Sequence, residues 1–298
     1  MFKSQKILIT GIAGFIGKNL SHYLSEKGFE VCGIDIKVPQ ECSIEVEAVD
    51  MTQPLKKLPE HDLIIHLAGS ADVGRSYADP LHDFKCNVAG TFNLLEYNRI
   101  HGNNPIIFAS SYRVNPVDFQ GTRSIYGCGK LACELYLNEY QCSFGTPVIV
   151  NRLSCIYGEG QIPNKQGWVS LFIYSKIKEL PVEVSGDGTQ VRDCLYISDL
   201  LRLIELQIKE QRRCSGHIYN IGGGKDNAFS LLRLIDFLDD NYIGYRPLNV
   251  NRIPEGKSLK NYVSDISSIN WLWKPEISVW EGIDRTFKWQ EQNADTLI

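Results

Sequence analysis

The chain has 298 residues, 43% of them hydrophobic and 22% charged, which is enough for one large or two medium domains with a buried core. The net charge of −4 offers no electrostatic footprint for nucleic acid or an anionic membrane, and no apolar run approaches the roughly 18 residues of a membrane span. Nine cysteines without a C-x-x-C pair indicate reduced thiols rather than a disulfide framework or a zinc site.

The first predicted strand, residues 7–10, runs directly into a glycine-rich turn and an amphipathic helix. Its early start leaves no room for a signal peptide, and we expect a cytoplasmic protein without a metal. Strand, glycine turn and helix are the context of a dinucleotide-binding fingerprint, in which Gly11 allows the tight turn, Gly14 the approach to a pyrophosphate and Gly17 the packing of the helix. The spacing G-x-x-G-x-x-G is not the commoner form, so a glycine turn without a ligand stays an alternative.

The second predicted strand ends at Asp35, 18 residues after Gly17. An acid about 20 residues after the glycines is typical of a carboxylate that binds the ribose 2′-hydroxyl of NAD. The same charge repels a 2′-phosphate, so we expect NAD rather than NADP, although Lys37 weakens that repulsion.

Strands and helices alternate through the first half of the chain, which predicts a parallel sheet with helices on both faces. The fold class is therefore α/β: a Rossmann-type doubly wound parallel sheet with a smaller C-terminal substrate-binding cap. We expect an NAD-binding domain over residues 1–153 with a returning segment near 191–221, and a cap formed mainly by residues 154–298. The predicted strands are 7–10, 30–34, a short third strand before Asp50, 63–67, 106–110 and 147–153, and the predicted helices are 15–27, 83–100 and 125–140.

Ligands of such a sheet lie at the carboxyl ends of the strands. Asp50 and Met51 follow a short third strand and are placed to reach an adenine edge, with a surface turn as the equal alternative. Ala68 and Gly69 follow the fourth, where small residues let a cofactor lie against backbone. Asn87 is within a helix near the same edge, where a tether from helix to loop is the commoner role of a buried asparagine.

The fifth predicted strand ends in Ser110 and Ser111; Tyr126 follows 15 residues after Ser111, and Lys130 four residues later. Positions i and i+4 share a helix face, so Tyr126 and Lys130 can point into one cleft. A phenol is a poor base at neutral pH, but a neighbouring ammonium and a nicotinamide cation would lower its pKa. Tyr126 would then take a hydroxyl proton, with Ser111 hydrogen-bonded to the same oxygen. Two further Y-x-x-x-K pairs, at Tyr23 and Tyr174, are interpreted as solvated helix faces.

The sequence resembles the extended short-chain dehydrogenases/reductases of the NAD-dependent epimerase/dehydratase family, which act on nucleotide sugars. The matching stretches are Thr10-Gly11, Gly14 to Gly17, Asp35, Asp50-Met51, His66 to Gly69, Asn87 to Thr91, Ser110-Ser111, Tyr126 to Lys130, Arg152, Tyr157-Gly158, Gly186 to Asp193 and Tyr219 to Gly223.

The resemblance implies a catalytic trio, a cofactor site and a substrate site. Arg192 would clamp the substrate pyrophosphate, with a surface ion pair to Asp187 or Asp193 as its alternative. The catalytic residues are Ser111, Tyr126 and Lys130; those for NAD are Gly11, Ala13, Gly14, Phe15, Ile16, Gly17, Asp35, Ile36, Asp50, Met51, Leu67, Ala68, Gly69, Asn87, Ser110, Tyr126 and Lys130; those for the sugar nucleotide are Ser76, Ser111, Tyr112, Trp168 and Arg192.

Dehydratases of this family carry an acidic pair directly after the catalytic serine or threonine, and decarboxylases carry a glutamate there. Here Tyr112 and Arg113 follow Ser111. This favours an epimerase that oxidises one sugar carbon and returns the hydride to the other face. Motifs in the second half are similar to the CDP-paratose 2-epimerase branch, so a CDP-sugar 2-epimerase is one expectation. A UDP-hexose 4-epimerase, an NAD(P)H-dependent ketoreductase and a non-catalytic dinucleotide-binding protein are the alternatives.

Two further expectations concern phosphate binding and assembly. The family's usual second phosphate-binding arginine is displaced here, and Arg252 or Lys257 would have to replace it. The predicted helices 83–100 and 125–140 are those with which the family dimerises, so we expect a homodimer.

Overall fold

The computed structural model describes residues 5–38, 44–117, 121–163, 167–254 and 260–297. The strands are β1 (Lys6–Thr10), β2 (Glu30–Asp35), β3 (Glu45–Ala48), β4 (Leu63–His66), β5 (Ile106–Ser111), β6 (Val148–Leu153), β7 (Cys155–Tyr157), β8 (Val182–Ser185), β9 (Val191–Tyr196), β10 (His217–Ile221), β11 (Ala228–Ser230), β12 (Val250–Ile253) and β13 (Asn261–Tyr262). The helices are α1 (Phe15–Glu26), α2 (Val73–Ala78), α3 (Pro80–Phe84), α4 (Gly90–Ile100), α5 (Ile125–Phe144), α6 (Trp168–Ile177), α7 (Ile197–Lys209), α8 (Gln211–Cys214), α9 (Leu231–Asn241) and α10 (Val279–Asn293).

Seven strands form the main sheet, in the order β10-β6-β5-β4-β1-β2-β3. The registers that join β3, β2, β1, β4 and β5 are all parallel. The chain runs outward from β1 to β3 and then returns to β4 on the other side of β1. The strand order therefore reverses between β1 and β4, which is where open α/β sheets bind their ligands. This confirms the predicted α/β class with a Rossmann-type sheet.

The main sheet is buried on both faces by helices. On one face, Leu8, Ile64 and Phe108 of the strands pack in one apolar core with Leu94 of α4 and Leu137 of α5. On the other face, β6 is joined to α7 by a reciprocal pair of amide hydrogen bonds between Asn151 and Gln207 (2.8 and 2.9 Å). Strands buried in this way lose the alternation of polar and apolar residues and become continuous apolar runs.

The helix predicted over residues 83–100 consists of three pieces. Helix α3 ends at Phe84, Lys85–Ala89 forms a π-helical turn, and α4 begins at Gly90. Inserted π turns are rare in proteins, and those that occur are often found at functional sites. The spacing of apolar residues in the sequence does not reveal a π turn, because the turn inserts only one residue into the α-helical pattern.

The chain divides into two compact units: Met1–Asn115, Arg123–Arg152 and Leu203–Tyr219 form the first, and Pro116–Thr122, Leu153–Arg202 and Asn220–Ile298 the second. The returning segment thus starts at Leu203, later than the residue 191 of the sequence expectation. Strand β9 stays in the second unit because it pairs with β7, β11 and β13 there. Strands β8 and β12 make a separate pair.

No helix within the described residues combines the length and the apolar character that a membrane crossing needs.

A buried ion pair links α5 to β6 within the first unit. Glu134, which is 2% exposed, accepts two hydrogen bonds from Arg152 Nε (3.0 and 3.1 Å), one from Nη2 (2.7 Å) and another from the Ser110 hydroxyl. Removing one partner of such a pair leaves the other charge without its counterion in a poorly hydrated place.

We therefore predict that Glu134→Gln lowers the free energy of unfolding by about 3 kcal/mol, measured by urea denaturation. Glu139→Gln is the matched control: Glu139 is exposed on the same helix, and its exchange should change stability by less than about 0.5 kcal/mol. Equal effects of the two substitutions would contradict the assignment of a stabilising role to the Glu134–Arg152 pair.

Candidate active site

The glycine turn between β1 and α1 is shaped by close backbone contacts. Gly11 has a φ of +73°, and a Cβ there would stand 2.7 Å from the Ala68 backbone nitrogen. A Cβ on Gly17 would stand 2.3 Å from the Gly11 carbonyl oxygen. No side chain among the described residues caps α1 at the exposed Gly14. The first-turn N–H groups, Phe15 and Ile16 included, are thus available to a pyrophosphate, as NAD requires.

The Asp35 carboxylate lies at the carboxyl end of β2, beside the glycine turn. Oδ2 accepts a hydrogen bond from Ala13 N (3.0 Å) and Oδ1 accepts one from Lys37 N (3.2 Å). Each carboxylate oxygen can accept more than one bond, so both retain capacity for a ribose hydroxyl. Ile36, next to it, is 69% exposed. The arrangement fits the ribose of NAD and places a negative charge where NADP carries a phosphate.

The segment after β4 is tied down by Asn87. Asn87 Oδ1 accepts from Ser70 N (3.0 Å), and Nδ2 donates to Ser70 O and to Asp83 Oδ1 (both 3.0 Å). A Cβ on Gly69 would meet Asn87 Oδ1 at 2.4 Å, so only glycine fits there. These contacts are those of the helix-to-loop tether. They hold Leu67 to Gly69 in place, as does the bond from Ala68 N to Thr10 Oγ1 (3.1 Å).

Asp50 and Met51 have contacts of their own. Asp50 Oδ1 accepts from both the backbone and the hydroxyl of Thr52 (2.9 and 2.7 Å), which is a capped turn. Met51 is 9% exposed, and its side chain belongs to the apolar core. The surface-turn interpretation describes Asp50, whose side chain is exposed at this edge.

Two successive serines at the end of β5 point in different directions. The Ser110 hydroxyl donates to Glu134, whereas the Ser111 hydroxyl lies close enough to the Tyr126 phenol to lower its pKa. Side chains alternate between the two faces of a strand, so adjacent serines cannot share one role. Ser110 braces the ion pair below the site, and Ser111 belongs to the site itself.

Tyr126 is the second residue of α5 and is buried, with 8% of its surface exposed. Its backbone N–H donates to Ser76 Oγ (3.3 Å), and Ser76 Oγ donates to Val73 O (2.7 Å). The fully buried Ser76 therefore links α2 to the start of α5. Its hydroxyl holds the backbone of Tyr126 in place.

Burial raises the pKa of Tyr126 to about 12, while the hydrogen bond with Ser111 and the positive charge of Arg113 lower it. From the sequence we expect the Lys130 ammonium and a nicotinamide cation to lower this pKa, whereas the lowering influences in the structure are the Ser111 hydroxyl and the positive charge of Arg113. Arg113 was not singled out from the sequence as a site residue. The sequence does show a cation at the position where dehydratases of the family carry an acid, but we interpreted that position only as lacking an acid.

Lys130 is 6% exposed and lies at the same end of the sheet. Its Nζ donates to Ala109 O (2.9 Å) and lies 4.7 Å from the centre of the Phe108 ring. Burial lowers the pKa of Lys130, and the nearby carboxylate of Asp83 raises it. Asp83 is itself 1% exposed and was also missed, because a single aspartate in a polar helix carries no distinctive pattern.

The remaining predicted substrate residues fall in different units. Tyr112 is buried in the first, under the guanidinium of Arg113. In the second unit, Trp168 packs on Phe229 (ring centres 5.2 Å apart), the residue that pairs with Arg192 across β11 and β9. The register thus places Trp168 and Arg192 near one another within that unit.

Arg192 is 6% exposed, so it is not a surface residue as the ion-pair alternative supposed. Its Nη1 donates to the carbonyls of Val191 (2.6 Å) and Lys260 (3.1 Å). Asp187 caps the backbone of Thr189, and Asp193 accepts from Ser154 and Gly224.

Arg252 is exposed and donates to Gly186 O (3.2 Å), and Lys257 lies outside the described residues.

The two other Y-x-x-x-K pairs are not simply solvated. Tyr23 donates to Glu205 of α7. Tyr174 is 6% exposed within the largely buried helix α6, and its partner Lys178 pairs with Asp295. The expectation of a solvated face is wrong for Tyr174, because α6 is covered on more sides than an ordinary surface helix.

Comparison with known proteins was made for the sequence and for the fold. The model of the NAD dependent epimerase/dehydratase family matches residues 7–222. A CDP-paratose 2-epimerase from Salmonella typhi is 28% identical, covering 96% of this chain and 99% of that protein. A putative UDP-glucose 4-epimerase from Methanocaldococcus jannaschii is 31% identical, covering 97% and 100%.

Among solved structures, the UDP-glucuronic acid 4-epimerase from Bacillus cereus, in complex with UDP-glucuronic acid and NAD, superposes with a TM-score of 0.84 at 25% identity. The superposition covers 96% of this chain and 99% of that one.

The position of Asp35 generates a prediction about cofactor choice. Asp35→Asn should weaken NAD binding about 10-fold and reduce the preference for NAD over NADP, because a charge-assisted hydrogen bond to the ribose is lost together with the repulsion of the 2′-phosphate. Isothermal titration calorimetry with both cofactors measures this. Glu30→Gln, at the opposite end of the same strand, is the control, and an unchanged preference in the Asp35 variant would argue against the ribose contact.

Proposed function

The chain belongs to the NAD-dependent epimerase/dehydratase family, and we propose that within this family it is a nucleotide-sugar epimerase that oxidises one sugar hydroxyl transiently and re-reduces the carbon on its other face. NAD is the cofactor of this family. The substrate would be a nucleoside diphosphate sugar, and the reaction would need no external reductant.

One observation carries this proposal: the hydroxyl of Ser111 and the phenol of Tyr126 meet at the carboxyl end of the sheet, and Tyr112 and Arg113 stand where an eliminating enzyme needs acids. Elimination of water requires a group that protonates the leaving hydroxyl. A tyrosine that gives and takes one proton at one oxygen is sufficient for oxidation and re-reduction.

The residues divide this chemistry between them. Tyr126 removes the hydroxyl proton as the carbon is oxidised and returns it when the ketone is reduced. Ser111 donates a hydrogen bond to the oxygen that carries the developing charge, which stabilises it most in a site shielded from water. Burial disfavours the phenolate that must accept this proton, and the Ser111 hydroxyl, the positive charge of Arg113 and a bound nicotinamide cation would oppose that effect.

The bound NAD supplies the hydride acceptor and donor. The glycine turn, Asp35 and the backbone after β4 would hold it, and Lys130 would contact the nicotinamide ribose. Lys130 also stabilises the carbonyl end of β5 through Ala109.

Two substrate classes are supported by specific observations. A CDP-sugar 2-epimerase is favoured by motifs of the second half and by the likeness to the Salmonella typhi enzyme along 96% of the chain. A UDP-hexose 4-epimerase is favoured by the higher identity to the Methanocaldococcus jannaschii protein. We place the reaction in the cytoplasm, since all eight cysteines among the described residues are free thiols.

A panel of CDP-, UDP-, GDP- and dTDP-sugars tests the proposal, with inverted stereocentres read by NMR. We expect one nucleotide series to be epimerised without added cofactor, and NAD to be released on denaturation. Tyr126→Phe should lower kcat at least about 100-fold while NAD stays bound, since general base catalysis is lost.

Tyr23→Phe is the matched control, because Tyr23 also starts a Y-x-x-x-K pair on a helix of the first unit. Full turnover by the Tyr126 variant would refute the mechanism. A requirement for added NADPH would show a reductase instead.

We further propose that the protein forms a homodimer through α4 and α5. Large apolar side chains are exposed on these helices, and Phe92 and Tyr136 join them in edge contact with ring centres 5.3 Å apart. Exposed apolar side chains on two neighbouring helices are typical of interaction surfaces. The exposed members are Phe92, Ile100, Leu135, Tyr136 and Phe144.

Light scattering after size exclusion should give a mass of about twice the 33.7 kDa of the chain. Leu135→Glu, which places a charge in this patch, should shift the mass to that of the monomer. Ile243→Glu is the control, because Ile243 is 86% exposed outside the patch. A monomeric wild-type protein would contradict the proposal.

A further inference from the structure

Arg113 occupies the turn that directly follows Ser111. Its backbone N–H donates to Ser111 Oγ (3.3 Å), and its guanidinium carbon lies 5.3 Å from the centre of the Tyr112 ring. The turn is pressed against the start of α5, since a Cβ on Gly127 would stand 2.2 Å from the Arg113 carbonyl oxygen. The arginine is therefore held at the reacting end of the site by its own backbone.

The guanidinium has no anionic partner in the described part of the chain. Arg113 is half-buried, and no carboxylate of residues 5–38, 44–117, 121–163, 167–254 or 260–297 lies within 4.0 Å of it. Two other half-buried arginines of the first unit do have such partners: Arg99 pairs with Glu96 and Arg152 with Glu134. A half-desolvated charge without a counterion is costly, unless a ligand supplies the counterion.

The charges near the phenol do not balance without such a ligand. Arg113 and Asp83 both act on Tyr126 electrostatically, and Asp83 also acts on Lys130. The single carboxylate of Asp83 is buried and bonded to Asn87. Glu134 also acts on Lys130 but is paired with Arg152, which leaves Asp83 to face two positive charges, Arg113 and Lys130, at the place where the sugar would react.

We infer that Arg113 binds a carboxylate carried by the sugar ring of the substrate, so that the nucleotide sugar is a uronic acid. This inference rests on the proposed epimerase function and names the substrate class of that site. A planar guanidinium matches a carboxylate with two parallel hydrogen bonds, which a neutral hydroxymethyl group cannot offer. Stacking on Tyr112 would hold the plane of the guanidinium in one orientation.

The test compares UDP-glucose with UDP-glucuronate. The first carries a hydroxymethyl group on the sugar ring where the second carries a carboxylate. Binding is measured by calorimetry to the NAD-loaded Tyr126→Phe protein, which cannot turn the sugars over. We expect UDP-glucuronate to bind about 10- to 100-fold more tightly than UDP-glucose. Arg113→Gln should bring this ratio close to one, and Arg113→Lys should retain part of it because the charge remains without the fork.

Arg212→Gln is the control for the loss of a positive charge. Arg212 is exposed on α8, near Gly216, which bonds to the amino-terminal end of β6 and so lies at the opposite edge of the sheet. This substitution should leave the ratio unchanged. Circular dichroism confirms that each variant is folded.

The outcomes separate the two proposals. Equal binding of the two sugars to the wild-type site, or an equal loss for both in Arg113→Gln, would overturn the carboxylate inference while epimerisation by the active protein leaves the proposed function standing. Failure of both sugars to bind, together with no epimerisation of any nucleotide sugar, would refute the proposed function and this inference with it.

Discussion

The site depends on close contacts between backbone segments at the carboxyl end of β1, where no Cβ separates them. Gly11 turns the chain under Ala68, and Gly17 lets α1 lie against the Gly11 carbonyl. Any side chain at either position would push the helix away from the sheet. Because the helix starts there without a side-chain cap, its N–H groups remain directed at the position of a pyrophosphate. The switch of strand order between β1 and β4 opens the crevice that this turn lines.

The reacting end is organised by electrostatics in a poorly hydrated place. Burial opposes ionisation of Tyr126, and the groups that act against this are a serine hydroxyl and an arginine on one short turn. Lys130 bonds to a carbonyl of β5, and the two carboxylates that act on it are themselves engaged, Asp83 by Asn87 and Glu134 by Arg152.

Several residues expected to contact ligands are also supports. Asn87 uses its amide to fasten the segment after β4, Ser76 holds the start of α5, and Ser110 braces the Glu134–Arg152 pair. Such supports keep the glycine turn, Ser111 and Tyr126 in a fixed relation, which efficient catalysis requires. Some residues of the family motifs therefore have a structural role. A match to a motif does not by itself show whether a residue supports the fold or binds a ligand.

The sequence alone determined the α/β alternation, the glycine turn, Asp35 after β2 and the spacing that puts Tyr126 and Lys130 on one helix face, because each follows from local periodicity or from a short motif. Only the tertiary structure decided that Ser110 and Ser111 have different partners, that Lys85–Ala89 is a π turn, that Tyr174 is buried, and that Arg113 stands close enough to the phenol to lower its pKa. These depend on contacts between segments far apart in the chain. Periodicity reports which face of an element is apolar, and it does not report which partner that face meets.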